Sequence, residues 1–136
     1  MTWSGHGWRT VKVEDVSFGN VLRFAHHVVF DAPVYELEAI RTFNGLVEQA
    51  RRKRYRRQFL RPMGRRPSVV WIYLYQGGID YGALNLASYS ACWIDPDLQE
   101  GDRPQLMKPG KAIGGYWFWI NPNRDAIRAA FEGKHQ

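Results

Sequence analysis

Nine lysines and arginines lie within the sixteen residues from Arg51 to Arg66, and they are the residues of this chain whose types and spacing most clearly suggest chemistry. No Asp or Glu interrupts them, although the whole chain has 19 Lys plus Arg against 13 Asp plus Glu. Without these nine, ten basic and thirteen acidic residues remain, a formal charge of −3. The basic character is therefore local, and a local block of one charge sign indicates an anionic partner.

A phosphate backbone is the anionic partner that we expect for this block. Each phosphate that is neutralised releases a counterion, which gives an affinity independent of base sequence. The alternatives that remain open are a solvated helix face, an acidic protein partner, and an acidic patch elsewhere on this fold. The residues expected at the nucleic-acid-binding surface are Arg51, Arg52, Lys53, Arg54, Tyr55, Arg56, Arg57, Arg61, Arg65 and Arg66, with further contacts from Lys108 and Lys111. Tyr55 and Phe59 are expected either to stack on bases or to pack the basic segment against the rest of the domain.

Three aromatic side chains alternate with aliphatic ones just after the basic block. Trp71, Tyr73 and Tyr75 have the same parity, so on a strand they point to one face of a sheet. An exposed row of this kind is a stacking platform for unpaired bases. The alternative is that a helix covers the row as core. The known RNA-recognition-motif pattern is absent, and the element order differs from it.

Two adjacent histidines are the remaining candidates for catalysis or metal binding. On the helix that we predict there, His26 and His27 point about 100° apart and do not converge on one ion. His27 and Asp31 would then sit at i and i+4 as a histidine–carboxylate pair. Cys92 is the only cysteine, which excludes an intramolecular disulfide. It lies on the predicted return strand of a hairpin with the parity of the aliphatic residues, which indicates a buried thiol. The sequence assigns no catalytic residue, no metal site and no cofactor, and it favours a non-enzymatic protein.

Two helices are predicted in the N-terminal half. The first covers the run up to Phe30, because Val21, Leu22, Ala25, Val28 and Val29 share one helical face, with two strands as the alternative. The second begins near Pro33 and carries an apolar stripe at positions 37, 40, 43, 47 and 50. Beyond position 50 the stripe fades while the basic residues continue. The second helix is therefore expected to project past the core as a charged extension.

The C-terminal half is predicted to form strands followed by a helix. Residues 69–75 predict a strand, a hairpin turn follows at Gln76-Gly77-Gly78, and residues 116–120 predict a last strand. Between them, residues 95–115 predict a long polar loop. Asn121-Pro122 precedes a short final helix. The expected fold is α+β, with N-terminal helices packed on an antiparallel β-meander and a short C-terminal helix. We expect one domain, 1–136, that contains the basic segment 51–67.

Length and composition fit a small folded domain. The chain has 136 residues, 45% of them hydrophobic and 15% aromatic, and no apolar run long enough for a transmembrane helix. The start lacks the pattern of a signal peptide, so a cytoplasmic location is expected. The predicted function is non-enzymatic nucleic-acid binding, with RNA or single-stranded DNA slightly ahead of duplex. The alternative is a protein-interaction module, a small inhibitor or adaptor that docks its basic patch on an acidic partner or a nucleoprotein complex. An enzyme acting on nucleic acid is the third hypothesis.

Overall fold

Six strands and two helices make up the described part of the chain. The computed structural model describes residues 7–17, 21–31, 34–55, 65–76 and 87–134. Two strands precede the first helix, four strands follow it, and the second helix comes last. The elements are β1 (Trp8–Asp15), β2 (Arg23–Phe30), α1 (Glu36–Arg52), β3 (Val69–Gln76), β4 (Tyr89–Ile94), β5 (Gly110–Ile113), β6 (Tyr116–Ile120) and α2 (Arg124–Lys134).

All six strands belong to one mixed sheet. Their order across the sheet is β1-β2-β3-β4-β6-β5, which leaves β1 and β5 at the edges. The central pair β2 and β3 is parallel, and α1 lies in the connection between them; every other pair is antiparallel. The α+β class is confirmed. The expected arrangement, N-terminal helices on an antiparallel meander, is wrong because the sheet begins at the N-terminus and the helix follows.

The first predicted helix is strand β2. Seven of its eight residues are buried, because β2 lies inside the sheet with apolar neighbours on both faces. A strand that is buried on both sides shows no alternation of polar and apolar residues. The spacing of its apolar residues therefore matched a helical stripe by chance, although β-branched Val28 and Val29 favour a strand. The alternative of two strands in this run is correct in type, but the described part of the run contains the single strand β2; it pairs with β1, which ends at Asp15, in antiparallel fashion with a bulge between Thr10 and Lys12.

Helix α1 covers one face of the sheet, which we call the helix face. Ala39, Phe43, Leu46, Val47 and Ala50 are its buried side chains. They pack against a sheet layer formed by Val28, Ile72, Leu74, Ala91 and Phe118, among others. This cluster of sixteen buried residues in the described ranges supplies the main hydrophobic stabilisation of the fold. The N-terminal member of the predicted stripe, Leu37, is 71% exposed instead.

The opposite surface of the sheet, the far face, is also largely buried. A second cluster there contains Ala25, Val29, Tyr73, Tyr75 and Ala87. Successive residues of a strand point to opposite faces, so the two faces of each central strand contribute to two different clusters. Neither of the two helices in the described ranges is long and apolar enough to cross a membrane.

Two further expectations about the chain path need correction. Helix α1 ends at Arg52, and Lys53 already has an extended backbone, so α1 itself does not continue into the basic segment as a charged extension. The predicted loop 95–115 contains a 3-10 turn at Glu100–Asp102 and the edge strand β5. The final helix does follow Asn121-Pro122, and the Asn121 side chain accepts a hydrogen bond from the Asn123 amide. The predicted turn at Gly77-Gly78 lies outside the described residues.

Candidate nucleic-acid interface

The last turn of α1 presents two arginines beside one glutamate. Arg51 donates two hydrogen bonds of 3.0 Å to the Glu48 carboxylate, and Arg52 reaches the same group at 3.0 Å. The pKa of Glu48 lies below its ordinary value, chiefly because of the hydrogen bond from Arg51. Ion pairs at a protein surface contribute little stability. Their effect here is to hold two guanidinium groups in place at the end of the helix.

Tyr55 attaches the start of the basic segment to the sheet. Its ring is 5% exposed and stacks on Phe24 with the centroids 4.0 Å apart. Its hydroxyl donates to the Ala50 carbonyl at 3.0 Å and lies 2.8 Å from Nε2 of His26. Tyr55 and Arg65 also exchange two backbone hydrogen bonds, which holds the two described ends of the segment side by side. Of the two roles expected for Tyr55, the structure shows packing, and the ring is not available to a base.

An open depression of about 510 Å³ lies beside these residues. Val69, the first residue of β3, pairs with Ile94, the last residue of β4. The residues just before β3 and just after β4 therefore lie at the same edge of the fold. The guanidinium of Arg51 lies 5.9 Å from the centre of the Trp93 ring, within cation–π distance. We call this feature the arginine depression; its lining consists of Arg51, Arg52, Arg66, Pro67, Trp93, Asp95 and Pro96.

More basic side chains adjoin the arginine depression. Lys53 and Arg54 follow α1 directly, Arg65 precedes Arg66, and all four are exposed. Lys53 lies over the ring of Tyr55, with Nζ 5.2 Å from its centre. The carboxylates that line the arginine depression or pair with its arginines are Asp95 and Glu48, so its basic side chains outnumber its acidic ones. Arg56, Arg57 and Arg61, which were expected at the same surface, lie outside the described residues, as does Phe59.

The two lysines predicted from the C-terminal half lie elsewhere. Lys111 forms an ion pair of 3.2 Å with Glu36 in the first turn of α1. A helix of 17 residues is about 25 Å long, so Lys111 is remote from the arginine depression at the other end. Lys108 lines a separate depression with Ile94 and Arg103. The structure brings neither lysine into the arginine depression.

The aromatic row does not form an exposed stacking platform. Tyr75 is 1% exposed and Tyr73 is 9% exposed, and both belong to the buried cluster of the far face. Trp71 is partly exposed, but the Arg23 guanidinium lies 5.8 Å from its ring centre. The three rings do share one face, as their parity predicted. That face is packed, so these positions act as core and the hypothesis of a base platform is wrong for Tyr73 and Tyr75.

The two histidines point to opposite faces of the sheet because they lie on a strand. His26 is buried on the helix face, where desolvation, with smaller effects from Lys53 and His27, lowers its pKa to about 4. It is therefore neutral at pH 7 and bonds to the hydroxyl of Tyr55. This neutral histidine is a structural member of the interior.

His27 lies on the far face in a hydrogen-bonded chain of three residues. Its Nε2 is 2.5 Å from the Glu14 carboxylate, and its Nδ1 is 3.1 Å from the Tyr75 hydroxyl. The rings of Tyr73 and Tyr75 stack near it at 5.4 and 5.8 Å. The expected pairing of His27 with Asp31 is wrong, since those residues are not one helical turn apart; Asp31 contacts Arg9 instead. The pairing of β1 with β2, which sequence analysis did not establish, creates the contact with Glu14.

Within the described ranges, no group of three or more His, Cys, Asp or Glu side chains could hold a metal ion. The single cysteine, Cys92, is buried, and burial raises the pKa of its thiol to about 12. A thiol with such a pKa is a poor nucleophile at neutral pH. No protein-family model, no curated protein and no solved structure matches this chain. The function must therefore be inferred from the geometry itself.

Proposed function

We propose that the arginine depression binds the phosphate backbone of a nucleic acid, and that the protein acts by binding rather than by catalysis. The observation that supports this is the grouping of Arg51, Arg52 and Arg66 around one open, polar depression. Guanidinium groups bind phosphate oxygens through paired hydrogen bonds and remain charged at every physiological pH. A cytoplasmic location belongs to the same proposal.

The surface of α1 favours a single strand or an RNA loop over duplex DNA. A helix that reads duplex DNA lies in the major groove and presents one of its faces to the bases and phosphates. The exposed surface of α1 carries Glu36, Glu38 and Glu48, which would repel phosphates along such a groove. Apart from Arg41 in the middle of the helix, the basic residues of α1 are Arg51 and Arg52 at its C-terminal end. A flexible strand that crosses this end can meet the arginines without approaching Glu36 and Glu38.

A protein-interaction module remains the second candidate, and one observation favours it. Asp95 lines the arginine depression together with the arginines. A row of phosphates would be repelled by the Asp95 carboxylate. An acidic protein surface that also carries one basic side chain could pair with both the arginines and Asp95. The same arginines would then steer a small inhibitor or adaptor onto an acidic partner.

Charge removal at the arginine depression tests the proposal. In the triple variant Arg51→Gln, Arg52→Gln and Arg66→Gln, binding to a short single-stranded RNA should weaken. The slope of log affinity against log salt should shrink by about 0.7 for each phosphate that the variant no longer neutralises. Fluorescence anisotropy across a salt series measures both effects. Arg124→Gln, which removes one charge near the opposite end of α1, is the control and should leave the slope unchanged.

The competing partner classes give different results in the same assay. Duplex DNA of equal length should bind more weakly than the single strand. If polyglutamate binds the unmodified chain with the affinity of RNA, and the triple variant loses both equally, the interaction-module hypothesis is favoured. An unchanged RNA affinity in a triple variant that is folded by circular dichroism would refute phosphate binding at the arginine depression.

A further inference from the structure

A second pocket, of about 210 Å³, lies between edge strand β1 and helix α1. Its volume corresponds to about seven water molecules, which is room for a small organic molecule. Trp8, Phe30 and Leu46 form its apolar wall. Glu38, Arg41, Thr42, Gly45 and Gln49 complete the lining from α1. We call it the β1–α1 pocket.

Gly45 leaves open space in the middle of the lining of the β1–α1 pocket. It lies in the middle of α1, where glycine costs about 0.5–1 kcal/mol relative to alanine. Its backbone does not have the positive φ that favours glycine, and nothing lies within 4 Å of the place where a Cβ would stand. The fold therefore does not require a glycine here. What the missing side chain provides is space above the apolar wall.

The polar groups around Gly45 define the head group that a ligand would carry. Arg41 and Gln49 lie one turn to either side of Gly45 on the same row of the helix. Among the described residues, no carboxylate comes within ion-pair distance of Arg41. The Thr42 hydroxyl is already used, since it donates to the Glu38 carbonyl. An anionic group above Gly45 would meet the Arg41 guanidinium on one side and the Gln49 amide on the other.

We propose that the β1–α1 pocket binds a small molecule with an aromatic body and a carboxylate head. The body packs on Trp8, Phe30 and Leu46, and the head lies over Gly45 beside Arg41. The other candidate occupant, a peptide strand added to β1, fits less well. The bulge between Thr10 and Lys12 and the exposed charge of Lys12 are features that block pairing at a sheet edge.

Three probes with the same body and different heads test the proposal. They are 3-phenylpropionate, 3-phenylpropanol and 3-phenylpropylamine, titrated into the full ¹⁵N-labelled chain. Saturable shifts are expected at the Gly45 amide and the Trp8 indole N–H. The carboxylate should bind about tenfold more tightly than the alcohol, because its hydrogen bond to arginine is charge-assisted, and the amine should bind most weakly.

Three variants separate body recognition from head recognition. Gly45→Leu should fill the pocket and abolish binding of all three probes, and Gly45→Ala, whose Cβ meets open space, should reduce it in a chain that stays folded. Arg41→Gln should remove the preference for the carboxylate and keep the affinity for the alcohol. As a control, Lys12→Gln removes one charge from the same strand as Trp8 and should change nothing.

Equal affinity for the three heads in the unmodified chain would overturn the assignment of Arg41. The absence of saturable shifts with every probe, or shifts in the Gly45→Leu variant equal to those of the unmodified chain, would overturn the pocket itself. Shifts that follow the outer edge of β1 on addition of an extended peptide, with none from the small probes, would assign the site to strand addition instead.

Discussion

The buried imidazole of His26 should make folding stability depend on pH. Its pKa falls from an ordinary 6.5 to about 4 in the folded chain, mainly because burial disfavours the charged form. Between these two values the unfolded chain binds more protons than the folded chain. The free energy of unfolding should therefore rise with pH across this window and fall as acid is added, with the contribution of His26 levelling off below pH 4.

The size of this effect follows from the two pKa values. One pKa unit corresponds to about 1.4 kcal/mol, so the contribution of His26 to stability at neutral pH is about 3 kcal/mol larger than in strong acid. About 2 kcal/mol of it should already be lost at pH 5, and most of the remainder by pH 4. For a domain of this size, that is a substantial part of the total stability.

Urea unfolding at several pH values between 4 and 7 measures the effect, with His26→Gln as the comparison. Gln cannot titrate, yet its amide can still bond to the hydroxyl of Tyr55. The difference in unfolding free energy between the two proteins should change by about 3 kcal/mol over the range. Other titrating groups cancel in this difference. A difference that stays constant with pH would show that His26 is not desolvated, and the argument from its burial would fail.

Two further substitutions test the packing around the candidate sites. Gly110→Ala should lower the unfolding free energy by about 2 kcal/mol in thermal unfolding, because a Cβ there would lie 2.4 Å from the indole nitrogen of Trp117. Gly101→Ala is the control, because a Cβ at that position would meet open space. Equal decreases in the two variants would contradict the clash. Tyr55→Phe keeps the stacked ring but removes two hydrogen bonds, one of them to His26. The unfolding free energy measured in urea should fall by about 1–3 kcal/mol. An unchanged stability would mean that water replaces the two lost hydrogen bonds.

Helix α1 and strand β3 were predictable from sequence. Helix α1 has one apolar stripe because one of its sides packs on the sheet, and the two faces of β3 carry different residue types, aliphatic and aromatic, although both are buried. Strand β2 was mistaken for a helix because both of its faces are buried and no alternation appears. Strand β5 was missed because its four residues, mostly exposed, are recognisable as a strand only by their pairing with β6.

At the candidate site, some residues could be identified from the sequence composition, and others are brought there only by strand pairing. The basic residues were evident from composition alone. Trp93 and Asp95, which complete the arginine depression, were not, because they reach it through the pairing of β3 with β4. Glu14 was likewise not recognised as the partner of His27, since that contact depends on the register of β1 against β2. Contacts between distant parts of the chain require the sheet order, and local sequence patterns do not contain it.

The dipole of helix α1 accounts for part of the basic charge at its C-terminal end. The basic residues beyond the helix need a different explanation. Helix α1 has Glu36 and Glu38 in its first turn and Arg51 and Arg52 in its last, the distribution that complements a helix dipole. Arg51 and Arg52 therefore have a structural role, in addition to their ion pairs with Glu48. No such role accounts for the exposed basic residues beyond the helix: Lys53, Arg54, Arg65 and Arg66. The Tyr55–Arg65 pairing brings these four next to the arginine depression, so they support the argument for an anionic partner together with Arg51 and Arg52.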